Sequence, residues 1–157
     1  MIAVSSLTDF REEMYVSLFR RWLVIDQLGR NTKGDLVLTM QKGALFDYLL
    51  KNPKDMHSFL VAFNRLNENS PYDDVLYSND AEFGSYQEVT DFLEGALILE
   101  AEGYIEITIN GADCYISSKS KPDDVDTTLV EGWKLSLSLL KPLVSKSLNV
   151  LQKNSLR

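Results

Sequence analysis

At 157 residues, with 45% apolar side chains and a formal net charge of −7, the chain has the composition of one globular domain or two small lobes sharing a core. The apolar content excludes disorder as the main state, and no apolar run approaches the roughly 18–20 residues that cross a bilayer. A single cysteine, Cys114, allows no internal disulfide, and Asp9, Glu12 and Glu13 close behind Met1 do not suit a secretory signal, so a cytoplasmic location is expected.

The charge is unevenly spread. Residues 1–66 carry nine basic and seven acidic side chains, residues 67–126 two basic and fifteen acidic, and residues 127–157 five basic and one acidic. An acidic middle of this size repels nucleic acid and favours a basic protein face, the plain alternative being a soluble acidic surface.

Taken in order, Thr8 or Asp9 can cap a first helix from about Phe10 to Leu28. Its apolar face is Met14, Tyr15, Leu18, Phe19, Trp22, Leu23 and Ile25, and Gly29 ends it. Arg20, Arg21 and Arg30 form the most basic neighbourhood of this half and read as a solvated helix rim. Leu36 to Met40 reads as a brief strand or the start of a second helix. That helix runs to about Asn52 and buries Ala44, Leu45, Phe46, Leu49 and Leu50, and Pro53 stops it. A third helix, Lys54 to Leu66, places Met56, Phe59, Leu60, Phe63 and Leu66 on one stripe, with His57 off the stripe and facing water.

Residues 67–84 turn polar and acidic and read as a linker, anchored by Val75, Leu76, Tyr77 and Phe83. Its carboxylates lack the spacing of a calcium loop. Ser85 and Glu88 then form a capping box. Val89, Phe92, Leu93, Ala96 and Leu97 recur at helical spacing, and Gly103 stands where a terminal glycine belongs. Tyr104, Ile105, Ile107 and Ile109 make a strand, Asn110-Gly111 predicts a type I′ hairpin turn, and Cys114, Tyr115 and Ile116 make the returning strand. Helix, glycine, strand, turn and strand are the helix-plus-wing half of a winged-helix domain. A DNA-reading helix needs Arg or Lys. This one carries Glu88, Asp91, Glu94, Glu100 and Glu102 and no basic residue, so the expected counterpart is protein.

Lys119 to Asp126 is a second linker, after which Asp126 or Thr127 caps a last helix reaching towards Lys153. Leu129, Trp133, Leu137, Leu140, Val144, Leu148 and Leu151 step by three or four, close to a heptad seam. Pro142 should kink this helix without ending it. At about 25 residues, roughly 37 Å, it either wraps the other lobe or docks on another chain.

No Gly-rich phosphate loop, G-x-S-x-G elbow, H-E-x-x-H or paired-cysteine motif is present, and the one His and one Cys lie far apart. No catalytic, cofactor-binding or metal-ligating residue is nominated, and an enzyme is not expected. The fold class expected is α+β, mainly helical. It comprises a helical N-terminal lobe (1–66), the acidic linker (67–84), the winged-helix half (85–118), and a linker with the long C-terminal helix (119–157). The residues expected to touch a partner are Glu88, Asp91, Glu94, Trp133, Leu137, Leu140 and Val144. A weaker alternative gathers Tyr15, Trp22 and Trp133 into a small-molecule pocket.

The run Leu38-Thr39-Met40-Gln41-Lys42-Gly43-Ala44-Leu45-Phe46-Asp47-Tyr48-Leu49-Leu50-Lys51-Asn52-Pro53 resembles the leucine-rich segment of the middle components of bacterial ABC-three-component systems. Gly95-Ala96-Leu97-Ile98-Leu99-Glu100-Ala101-Glu102-Gly103-Tyr104-Ile105 resembles their second landmark, a small-apolar helix ending in Gly before the wing. The resemblance implies a partly winged-helix adaptor between an SMC-like or RecF-like ATPase and an effector such as a nuclease. Lamassu-type defence against phage and plasmids is one branch. It implies a hetero-oligomer with no direct sequence-specific nucleic-acid binding and no membrane partner, and it carries no catalytic residue over. The alternative function is a winged-helix transcriptional regulator dimerising through its C-terminal helix.

Overall fold

The computed structural model describes residues 2–65 and 86–155, and within these the side chains of residues 13–65 and 89–153. The elements are α1 (Ile2–Leu28), α2 (Met40–Lys51), α3 (Pro53–Ala62), α4 (Tyr86–Ala101), β1 (Ile105–Asn110), β2 (Asp113–Ser118), α5 (Thr128–Leu140), a 3₁₀ turn (Lys141–Leu143) and α6 (Leu148–Ser155). The chain is thus mainly helical, with one antiparallel hairpin. No helix among the described residues is long and apolar enough to cross a membrane.

The first helix begins eight residues earlier than its capping residues suggested, so Thr8 and Asp9 lie inside it. After it, Leu36 to Thr39 is extended. Arg30 bridges Leu36, Thr39 bridges Tyr115, and the Ile116 amide donates to the Leu38 carbonyl at 3.0 Å, so this short segment lies against β2. Thr39 then caps α2, its hydroxyl accepting from the Lys42 amide at 3.2 Å. Pro53 ends α2 and also opens α3 as its first residue, where a missing N–H costs nothing. The third helix stops at Ala62, short of Leu66, because Asn64 adopts φ 60° and the Arg65 amide closes back on the Leu60 carbonyl. The linker 67–84, its four anchors, Ser85 and the side chain of Glu88 lie outside the described residues.

The fourth helix ends as its sequence requires, with Gly103 at φ 83°. The hairpin register pairs Asn110 with Asp113, so the two-residue loop is Gly111-Ala112 and not Asn110-Gly111. Only Gly111, at φ 65°, is left-handed there, which is the pattern of a type II′ turn.

The C-terminal helix departs furthest from expectation. It is not one rod of about 25 residues but α5, a 3₁₀ turn holding Pro142, a break at residues 144–147, and α6. Proline has no N–H to continue the helical ladder, and its ring crowds the preceding turn. The break lets α6 fold back so that Leu151 is fully buried, with α6 against α2 and α3. Thr127, not Asp126, caps α5, accepting from the Val130 amide at 3.2 Å.

One continuous core results. Leu23, Val24, Ile25 and Leu28 of α1 meet Leu45, Phe46 and Leu49 of α2, Phe92 and Ala96 of α4, Ile105 and Ile116 of the hairpin, and Leu137, Leu140 and Leu143. Each such side chain contributes about 1.5–3 kcal/mol on burial. Helices α2 and α4 approach closely at Gly43, where an added Cβ would lie 2.6 Å from the Phe92 ring.

Candidate protein-docking face

Helix α4 is bound to the core by one side only. Phe92, Gly95, Ala96 and Leu99, spaced three and four apart, point inward. Leu93 and Leu97, expected on the same apolar face, instead stand 39% and 48% exposed, with Ile98 at 46%. Leu93 and Leu97 share one ridge of the outward surface, and Glu94 and Ile98 share the next. Glu94 and Glu100 are exposed and Asp91 is half-buried. The outward surface is therefore leucine interleaved with carboxylate. Beyond the helix, Ile109 near the hairpin tip is 78% exposed, and Glu106 and Asp113 are exposed on the opposite face of the hairpin.

The hairpin root is fixed to α1. Trp22 stacks on Tyr104 with ring centroids 4.5 Å apart and donates from Nε1 to the Ser120 carbonyl at 3.1 Å. Cys114 is half-buried in β2.

The seam residues lie elsewhere. Trp133, Leu137, Leu140 and Val144 are all buried in this chain's own core, while Leu129 at the start of the seam is 55% exposed. Trp133 lies under the Arg20 guanidinium, 5.9 Å from its carbon to the ring centroid. One edge of Trp133 reaches an apolar groove of about 560 Å³ between α3 and α5, lined also by Met56, His57, Leu129 and Leu139. The three aromatics Tyr15, Trp22 and Trp133 do not meet in a pocket: Tyr15 is exposed, Trp22 braces the hairpin and Trp133 packs on Arg20.

Arg20 and Arg21 correct the reading of a solvated rim. Both turn inward onto Asp47 of α2, Arg20 Nε donating to Oδ1 at 2.6 Å and Arg21 Nε to Oδ2 at 3.2 Å. The Asp47 side chain is only 3% exposed. Two cations share one anion there, and among the described residues Arg20 Nη2 has no hydrogen-bond partner. Sequence reasoning missed this node, although an Asp between Phe46 and Tyr48 on an otherwise apolar helix was a signal that a cation must reach it. Gly95 makes room for it: a Cβ there would lie 2.8 Å from Arg21 Cδ.

His57 does not face water. It is half-buried, with an unpartnered Nε2. Lys42 is half-buried, and its Nζ donates to the Val144 carbonyl at 2.7 Å. Burial pulls its pKa below the ordinary lysine value, with Asp113 partly offsetting the pull. Among the described residues no group of three or more His, Cys, Asp or Glu side chains is arranged to hold a metal ion.

Of the seven residues nominated as partner contacts, α4 brings Asp91 and Glu94 together beside a groove against α1, and the core takes the four seam residues. The Glu88 side chain is outside the described set. No protein-family model matches the chain, and no curated protein or solved structure gives a match.

Proposed function

We propose that the chain is a non-catalytic adaptor that docks on other proteins through the outer face of α4. The observation that carries the reading is the make-up of that face, exposed leucines and carboxylates on a helix with no Arg or Lys anywhere along it. The order of elements supports a winged-helix scaffold: a short extended segment at residues 36–39 against β2, then α4 leading straight into the hairpin. Such a scaffold grips DNA when its exposed helix is basic. An acidic one repels phosphates and attracts a basic protein surface. The resemblance to ABC-three-component middle components gives the setting, an assembly in which this chain bridges an SMC-like ATPase and an effector such as a nuclease in defence against phage or plasmids.

The regulator alternative is disfavoured by one specific observation. Dimerisation through the last helix needs an open apolar seam, and Trp133, Leu137, Leu140 and Val144 are already covered. Co-expression with the products of adjacent genes, followed by tagged purification, tests the adaptor reading. The expected result is a complex containing an ATPase and an effector. Tight binding of the isolated protein to duplex DNA at near-physiological salt would overturn it.

A further inference from the structure

We infer that the groove between α1 and α4 seats an amphipathic, lysine- or arginine-bearing helix of a partner protein. This rests on the docking role proposed for α4 and specifies the chemistry of what docks. The groove, about 360 Å³, is lined by Glu13, Met14, Leu18, Glu94, Gly95 and Ile98 among others. Its apolar edges, Met14 at 41% and Ile98 at 46% exposure, continue onto Leu97 at 48%. Contiguous half-exposed apolar side chains across two adjoining helices, rimmed by polar groups, are the make-up of an interaction site.

Charge selects the occupant. Glu13 and Glu94 are exposed at the rim. Among the described residues the cation at the groove is Arg21, whose alkyl chain and Nη1 lie across Gly95 and whose Nε is held by Asp47. The groove therefore sets the exposed carboxylates of Glu13 and Glu94 beside the apolar Met14, Leu18 and Ile98. A second copy of α4 would bring carboxylate against carboxylate, and duplex DNA would bring phosphate. A helix with Leu on one side and Lys or Arg flanking it meets both features, its anchors entering between the α4 ridges one turn apart.

The test uses the full chain and a fluorescein-labelled synthetic helix of Leu and Lys, with a Leu/Glu helix of identical pattern as control, read by anisotropy. The Lys helix is expected to bind, to weaken as salt rises, and to lose about tenfold in affinity on Glu13→Lys/Glu94→Lys or on Leu97→Asp, all exposed positions whose melting curves should stay unchanged. Equal binding of the two helices, equal binding to wild type and variants, or no binding overturns the proposal. So does an Ile98→Cys thiol, in a Cys114→Ser background, that fails to react with maleimide, since the chain would then cover its own groove. Variants on the α1 side of the groove separate this inference from the adaptor reading. If the co-expressed complex forms as well with Glu13→Lys/Met14→Asp as with wild type, the groove proposal fails and the adaptor stands. If wild type forms no complex, the adaptor reading fails, and the peptide result alone decides the groove.

Discussion

Replacing Asp47 with Asn keeps the side-chain shape and removes the charge that holds two arginines inside the protein. The Arg20 and Arg21 side chains are 7% and 12% exposed, so neither guanidinium can recover its hydration in place. Removing one member of a buried ion pair costs about 3–5 kcal/mol, because the surviving charge is stranded. Against a total stability of about 5–15 kcal/mol this is a large fraction. With a urea m-value of about 2 kcal/mol/M, the unfolding midpoint should fall by about 1.5–2.5 M. At about 2–4 °C per kcal/mol for a chain of this size, Tm should fall by about 6–20 °C. Replacing all three residues together, Arg20→Met, Arg21→Met and Asp47→Leu, should restore most of the loss, since no charge then remains to be stranded. Urea denaturation followed by tryptophan fluorescence suits the measurement because Trp133 lies against Arg20. A loss below about 1 kcal/mol for Asp47→Asn, the scale of an exposed pair, would refute the reasoning.

Three further outcomes follow from the geometry. Phe92→Ala should cost about 3–5 kcal/mol in chemical denaturation, while Leu97→Gln, on the same helix but facing out, should stay within about 0.5 kcal/mol of wild type; equal losses would show that the outer face of α4 is covered. Gly43→Ala should cost about 1–3 kcal/mol, because its Cβ would collide with the Phe92 ring, and a neutral result by thermal melting would mean that α2 and α4 separate easily. Lys42 binds its proton less tightly when folded than when unfolded, so the wild type should gain stability relative to Lys42→Met as pH rises towards the ordinary lysine pKa of about 10.4. A midpoint difference that is flat, or of the opposite sign, across that range would contradict the burial of Lys42.

Local rules carried most of the element placement. Gly103 stopped α4 at φ 83°, Thr127 capped α5, and Pro53 separated α2 from α3, because in each case the constraint lies within a few residues of backbone. The same locality failed where distant chain decides. Nothing near Asn110-Gly111 announces that β1 keeps Asn110 in register with Asp113 and moves the turn by one residue. Nothing near Leu93 says that α4 packs inward through Val89, Phe92, Ala96 and Leu99, leaving two leucines outside. Pro142 was visible as a disruption. That it ends α5 depends on the apolar site that receives Leu151 once α6 has turned back. Of the candidate site, the acidic character of α4 was legible in full. The burial of the seam, and the inward turn of Arg20 and Arg21, depended on which helices became neighbours.

The ties between early and late chain have a consequence for how the protein is made. Trp22 reaches Ser120 across 98 residues and Lys42 reaches Val144 across 102. A nascent chain that has delivered only α1, α2 and α3 from the ribosome has no Leu137, Leu140 or Leu143 to shield their apolar sides. Those sides stay bare until synthesis is nearly finished. Biogenesis should therefore lean on chaperone protection during translation, and truncations before α5 should accumulate as aggregates.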